Sequence, residues 1–314
     1  MHTTIWSAIF TPFYDDGTVN HEGLASNVRE FANRGIEGVF CNGLFGEKWA
    51  VNAEERIEIA KTVLEAAEGK MKVCSVASIG SMDENIELGL EYKKLGIDYS
   101  CLITPSRKVP TQELIDYFNK QMKAIDMPFV LFNSISHEGN IMTPEAFTEI
   151  SKNTNVQILK TTAPADINIE LQTVARQGVM VANPHEKEFF TNATKHNQRI
   201  MFSDPEPYLY QTETFRPIET YVRMLDNGDI IGAKKVFDAL QPLRDVYDYW
   251  FLRPFYNGIM TMAYLKKFAD IAGLIGGNVR RPLKPVPPDE SVEMEYQFNK
   301  AMREVQEKLH YSSI

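Results

Sequence analysis

Short apolar runs recur along the chain, separated by longer stretches in which apolar positions return every three or four residues. The first pattern fits strands buried on both faces and the second fits amphipathic helices. Thr4-Ile5-Trp6-Ser7-Ala8-Ile9-Phe10-Thr11 predicts a first strand, stopped by Pro12 and the Asp16-Gly17 turn, with a helix over about residues 21–34. Ile36-Glu37-Gly38-Val39-Phe40-Cys41 predicts the second strand. Its helix starts near Asn52, with Glu54 and Glu55 at the positive end of the helix dipole. Strands over residues 73–78, 97–104 and 128–132 follow, with helices over about 83–94 and 111–123. Thr143-Pro144-Glu145, a cap residue before a proline at the first helical position, opens the next helix. Asn155-Val156-Gln157-Ile158-Leu159-Lys160-Thr161-Thr162 predicts a sixth strand ending on Lys160, and further runs lie at about 179–182 and 199–203.

Eight strands alternating with helices over about 225 residues predict an α/β chain whose residues 1–228 form a (β/α)8 TIM barrel. Beyond Gly228 the short runs stop, and segments near 229–250, 254–273 and 289–309 have helical spacing only. Residues 229–314 are therefore expected to form a C-terminal helical extension. It is longer than barrel closure needs, so covering the barrel and building an oligomer contact are both open.

The chain of 314 residues is 44% hydrophobic and 24% charged, which suits one barrel-sized domain plus an extension. A formal charge of -9 and a pI near 5.3 argue against a nucleic-acid partner, which needs a basic face. Arg280-Arg281 with Lys284, the one short basic cluster, is broken by prolines and reads as a surface tail. Cys41, Cys74 and Cys101 each lie in an apolar run, as buried thiols in a reducing compartment would. The six histidines show no metal-ligand spacing, so no metal is expected. No apolar stretch approaches the ~20 residues of a membrane span, and no basic and then apolar leader opens the chain. A cytoplasmic protein is expected.

In a barrel, chemistry sits just after the strands. Those positions are Thr11, Gly43-Leu44-Phe45-Gly46-Glu47, Thr104-Pro105, Phe132-Asn133-Ser134, Lys160, Asn183-Pro184-His185-Glu186 and Ser203-Asp204. A lysine at a strand end is ordinarily a solvated rim charge, but at a barrel mouth it is also a candidate nucleophile. The glycines of the second loop either shape a turn or aim backbone N–H groups at a small carboxylate. Glu47 reads as a carboxylate that hydrogen-bonds the loop. An amine beside a carboxylate site points to imine formation with a 2-oxo acid, because burial raises the neutral fraction of a lysine and the protonated imine is an electron sink. Aldol cleavage or condensation is the corresponding reaction, with no cofactor beyond the covalent imine through Lys160.

These residues resemble the dihydrodipicolinate synthase and N-acetylneuraminate lyase superfamily, from Ala8-Ile9-Phe10-Thr11-Pro12 through Asn42-Gly43-Leu44-Phe45-Gly46-Glu47 to Lys160. Phe45, Pro184-His185-Glu186, Tyr256-Asn257 and the proline-rich segment from Arg281-Pro282 to Pro288 resemble most its hydratase-aldolase branch, which acts on aryl-substituted unsaturated 2-oxo acids such as trans-o-hydroxybenzylidenepyruvate. The resemblance implies Lys160 as the imine-forming lysine and the backbone of Gly43, Leu44, Phe45 and Gly46 as the cradle for the carboxylate of pyruvate. It implies Ser134 and Asn257 near the substrate, an aldehyde as second partner, and a homotetramer.

Departures from the family pattern matter as much. Its proton-shuttling tyrosine is Phe132 here, whose ring neither donates nor accepts a proton. Its relay threonines are Leu44-Phe45, and the arginine for a second carboxylate, aligned near His137, is missing. Dihydrodipicolinate synthesis is therefore not expected. Either His185, Tyr210, Tyr256 or a water carries the proton, His185 first because imidazole titrates near neutrality, or the barrel binds without aldol turnover. His185 could equally be an ordinary helix-start residue. Leu44, Phe45 and Phe132 would make the mouth apolar and favour an aromatic or alkyl tail. A 2-oxo acid dehydratase or hydratase and a non-catalytic oxo-acid-binding barrel remain the alternatives to a carbon–carbon lyase.

Overall fold

The computed structural model describes residues 2–134 and 142–311. Eight strands are each followed by a helix: β1 (Thr4–Ala8) and α1 (His21–Asn33), β2 (Gly38–Cys41) and α2 (Ala53–Ala67), β3 (Lys72–Val76) and α3 (Met82–Leu95), β4 (Tyr99–Ile103) and α4 (Thr111–Ile125). The second half repeats the unit: β5 (Phe129–Asn133) and α5 (Pro144–Ile150), β6 (Val156–Thr161) and α6 (Ala165–Val174), β7 (Met180–Ala182) and α7 (Glu186–Lys195), β8 (Ile200–Ser203) with the single turn α8 (Glu206–Leu209) and then α9 (Pro217–Asp226). All pairings are parallel, in the order β7-β6-β5-β4-β3-β2-β1-β8. At the β7–β8 seam the Asp204 N–H donates to the Pro184 carbonyl (3.2 Å). The Gln198 amide bridges the same seam, accepting from Asn183 N (3.1 Å) and donating to the carbonyls of Asn183 (3.3 Å) and Ile200 (2.8 Å). The sheet is thus a nearly closed (β/α)8 barrel.

Local chemistry explains the helix starts. Asn52 with Glu55 and Ser81 with Glu84 form reciprocal capping boxes, and Thr143 caps α5 ahead of Pro144. Two of the strand ends that differ from the sequence reading bear on the site. β1 stops at Ala8 rather than Thr11, because the chain turns off to pair Phe13 with Val19. β6 passes Lys160 and ends at Thr161, whose hydroxyl accepts from the Asn133 amide (3.1 Å). Lys160 is therefore paired on both sides, to Phe132 and to Ala182, and sits inside the sheet instead of at its rim.

The extension consists of α10 (Ile230–Ala239), α11 (Gln241–Tyr247), a π-helical turn (Asp248–Leu252), α12 (Arg253–Tyr256), α13 (Met262–Ile271) and α14 (Pro288–Tyr311). It covers the barrel mouth: Tyr247 stacks on Phe251 and Phe251 on Phe255 (ring centroids 5.0 and 5.7 Å apart), and Phe45 lies 5.9 and 6.1 Å from Phe251 and Phe255. Arg280 is not the surface residue expected. Its guanidinium spans Glu55 and the carbonyls of Gly17 and Ala50, and lies 4.5 Å from the Phe13 ring, while Arg281 and Lys284 are exposed. The three cysteines are buried and unpaired, and burial pushes the Cys41 thiol up to about 11. No helix among the described residues is long and apolar enough to cross a membrane.

Gly38 faces Trp6 across the β1–β2 ladder, and a Cβ there would fall 2.3 Å from the indole. Gly38→Ala should cost about 1–3 kcal/mol through overpacking, read as a lower denaturation midpoint; an unchanged midpoint would show that the indole moves freely.

Candidate active site

Lys160 lies in the barrel interior, 2% exposed, at the floor of a cavity of about 560 Å³ that opens at the carboxyl ends of the strands. Phe40 of β2, Phe132 of β5 and Phe202 of β8 surround its amine, with ring centroids 5.1, 5.2 and 4.9 Å from Nζ. Each face attracts a cation by roughly 0.5–2 kcal/mol. The fourth neighbour is Asp204, whose Oδ1 lies 3.5 Å from Nζ, an ion-pair distance longer than a tight hydrogen bond. The cage requires closure, because its members come from strands far apart in the chain.

The loop after β2 forms the opposite wall, with Gly43, Leu44, Phe45 and Lys48 on the cavity. Its left-handed residues are Asn42 (φ 58°) and Glu47 (φ 54°), not the glycines. Glycine is needed at 43 because a Cβ would lie 2.5 Å from the Phe40 ring. The backbone bonds of the turn use the N–H groups of Glu47 (to Leu44 O, 3.1 Å) and Lys48 (to Gly43 O, 3.2 Å). The N–H groups of Gly43, Leu44, Phe45 and Gly46 find no backbone acceptor among the described residues, which suits them to an anion. Gly46 itself is buried beside Thr11 and is not on the cavity wall.

Glu47 points away from the cavity. It pairs with Lys266 of α13 (2.5 Å) and accepts from the Arg280 N–H (3.0 Å), so the extension clamps the loop from behind. Burial lowers Lys266 to about 8 against the opposing pull of Glu47.

His185 stands at the start of α7 on the cavity wall, its Nδ1 3.1 Å from the Tyr256 hydroxyl; burial and nearby carboxylates raise that phenol. Glu186 turns the other way, into a buried pair with Arg244 (2.7 and 2.9 Å) and a hydrogen bond from Tyr221 (2.9 Å). Tyr210 is fully buried behind this wall, in a neighbouring cavity of about 330 Å³. Phe132 and Ser134 line the main cavity. Asn257 does not: it is exposed at the end of α12, while its neighbours Tyr256 and Gly258 are on the wall. His137 lies outside the described residues. No group of three metal-ligating side chains occurs among the described residues.

Two cavity residues were not singled out by the sequence: Lys48, and Asp204, which it placed only among the positions after the strands. Lys48 is lowered to about 8, by burial first and by Arg56 second. Asp204 was one of many loop residues until the seam brought it to Lys160.

An eight-stranded parallel barrel with an amine at the floor of a mouth-facing pocket defines the class. The chain belongs to the dihydrodipicolinate synthetase family, whose model matches residues 1–301. It is 30% identical over 186 residues, 58% of this chain, to a DapA-like lyase of Thermofilum pendens. It is 32% identical over 163 residues to the 4-hydroxy-tetrahydrodipicolinate synthase of Methanothrix thermoacetophila. These matches span 60% and 54% of the two relatives' lengths. A third, to the 4-hydroxy-tetrahydrodipicolinate synthase of Methanoculleus marisnigri, is 25% identical and covers 90% of this chain and 94% of that one. Among solved structures, the sialic acid aldolase of Ruminococcus gnavus superposes with a TM-score of 0.83 at 21% identity, covering 98% of this chain and 99% of that one. At that identity the likeness speaks for the fold.

Glu47→Gln should remove the charge that keeps the buried Lys266 protonated and cost about 3 kcal/mol near neutral pH, measured by chemical denaturation. A loss under about 1 kcal/mol, on the scale of exposed pairs, would show that the clamp contributes little.

Proposed function

We propose that the chain is a Schiff-base carbon–carbon lyase that forms an imine between Lys160 and pyruvate or a pyruvate-bearing 2-oxo acid. The observation that carries this reading is the buried Lys160 amine, enclosed by aromatic faces on the floor of an accessible cavity. A neutral amine attacks C2, and the protonated imine then draws the electrons of the bond one carbon further out, so that an aldehyde is released or added. Gly43, Leu44 and Phe45 hold the carboxylate through their N–H groups, with Ser134 beside it, while Gly46, off the cavity wall, shapes the turn behind them. His185, oriented by Tyr256, takes the proton of the aldol hydroxyl, the work for which Phe132 has no group. The loss of that phenol, with the relay threonines replaced by Leu44 and Phe45, sets the chain apart from dihydrodipicolinate synthesis.

Phe40, Phe45, Phe132, Ile103 and Phe255 on the cavity favour a substrate with an apolar or aromatic tail over a polyhydroxylated one. Trans-o-hydroxybenzylidenepyruvate and its relatives are the matching substrate class. We take residues 1–228 as the barrel and 229–314 as its extension, and the protein as a cytoplasmic homotetramer that needs no cofactor. A monomer in light scattering would remove the tetramer.

Incubation with pyruvate and borohydride should leave a pyruvate-sized adduct on the peptide carrying Lys160, and none in Lys160→Ala. An adduct on Lys48 instead, or none on the folded protein, would overturn the assignment. Phe132 also favours a second reading, an oxo-acid-binding barrel without turnover. In a screen of hydroxylated and unsaturated 2-oxo acids, pyruvate release supports the lyase and saturable binding without product supports the binder. If the missing phenol limits the rate, Phe132→Tyr should raise aldol turnover by about 10-fold or more.

A further inference from the structure

Asp204 is the carboxylate nearest the Lys160 amine among the described contacts, 6% exposed and on the wall of the same cavity. Its main chain is pinned: the Ser7 hydroxyl donates to its carbonyl (2.6 Å) and its N–H donates to the Pro184 carbonyl (3.2 Å). The side chain is thus left to face Nζ. Glu206, two residues on, is buried with its carboxyl accepting from the Ser203 hydroxyl (3.2 Å). Burial first, and the charge of Asp204 second, raise Glu206 well above the usual carboxylate range.

The three phenyl rings around Nζ stabilise a cation and offer no proton acceptor. An ammonium held there cannot attack a carbonyl until a neighbour takes its proton. We propose that Asp204 is the acid–base residue of imine formation at Lys160, a proposal that rests on the lysine-imine reading above.

The proton balance closes within the pair. The Lys160 ammonium gives one proton to the Asp204 carboxylate, leaving a neutral amine and a neutral acid. The amine attacks C2 of the 2-oxo acid, and proton transfer from nitrogen to the former carbonyl oxygen gives the carbinolamine. Asp204 returns its proton to that hydroxyl, which leaves as water while the nitrogen lone pair forms the C=N bond. The products are an iminium and an Asp204 carboxylate, the same charges as at the start. The phenyl cage holds the iminium as it held the ammonium. His185, further out on the wall, is left with the aldol hydroxyl.

The test is the rate of borohydride trapping on the Lys160 peptide in wild type, Asp204→Asn and Asp204→Ala, with circular dichroism checking the fold. The pinned main chain should let both variants fold. With pyruvate, both should trap about 100-fold more slowly than wild type, and formate should restore Asp204→Ala while chloride at equal ionic strength does not. A wild-type rate in Asp204→Asn would overturn the proposal. So would slow trapping that formate fails to rescue, since Asp204 would then only position Lys160. Formaldehyde, which needs no specific binding site, serves as a second carbonyl, with Lys48 as the internal reference. If wild type traps formaldehyde but not pyruvate, the substrate reading fails; slower Lys160 labelling in Asp204→Asn still supports the proton role, and equal labelling overturns it.

Discussion

A lysine amine buried inside a nearly closed barrel sets the terms for the rest of the molecule. Moving an ammonium out of water costs several kcal/mol unless it is paired or otherwise held. Here the compensation comes from three phenyl faces and one carboxylate, supplied by β2, β5, β8 and the turn after β8. No single βα unit contains this environment. It exists only when all eight strands are assembled into the nearly closed barrel, so the fold and the environment of the amine are a single requirement.

The C-terminal helices extend that requirement outward. Lys266 and Arg280 hold the back of the glycine loop through Glu47, and Phe251 and Phe255 pack over Phe45 at its front. The loop that faces the amine is fixed from both sides by residues more than two hundred positions away. A π-helical turn lies where the extension crosses the mouth, a placement often found beside functional sites. The extension therefore belongs to the cavity as much as to the outer shell, and the Glu186–Arg244 pair anchors its first helices to the start of α7.

The aromatic interior also separates this barrel from a phenol-based one. Phe132 exchanges a titratable hydroxyl for a ring face, which removes a proton carrier and adds a cation-holding surface. The titratable groups near the amine stand elsewhere on the wall: the Asp204 carboxylate, 3.5 Å from Nζ, and the His185 imidazole with its Tyr256 partner.

Strand–helix alternation, the capped helix starts, Lys160 and the glycine loop were all legible in the sequence, because each is written in periodicity or in residues within a few positions of one another. Which residues meet was not. The end of β1, the passage of β6 beyond Lys160, the turning of Glu47 and Glu186 away from the cavity and the exposure of Asn257 depend on strand register and helix packing. Arg280 looked like a tail residue because its partners, Gly17, Ala50 and Glu55, lie at the other end of the chain. Asp204 had no distinguishing neighbour in sequence, and only closure of the β7–β8 seam sets it against the amine. Local pattern specified the elements, whereas burial of the reactive group is a long-range property that the closed barrel alone decides.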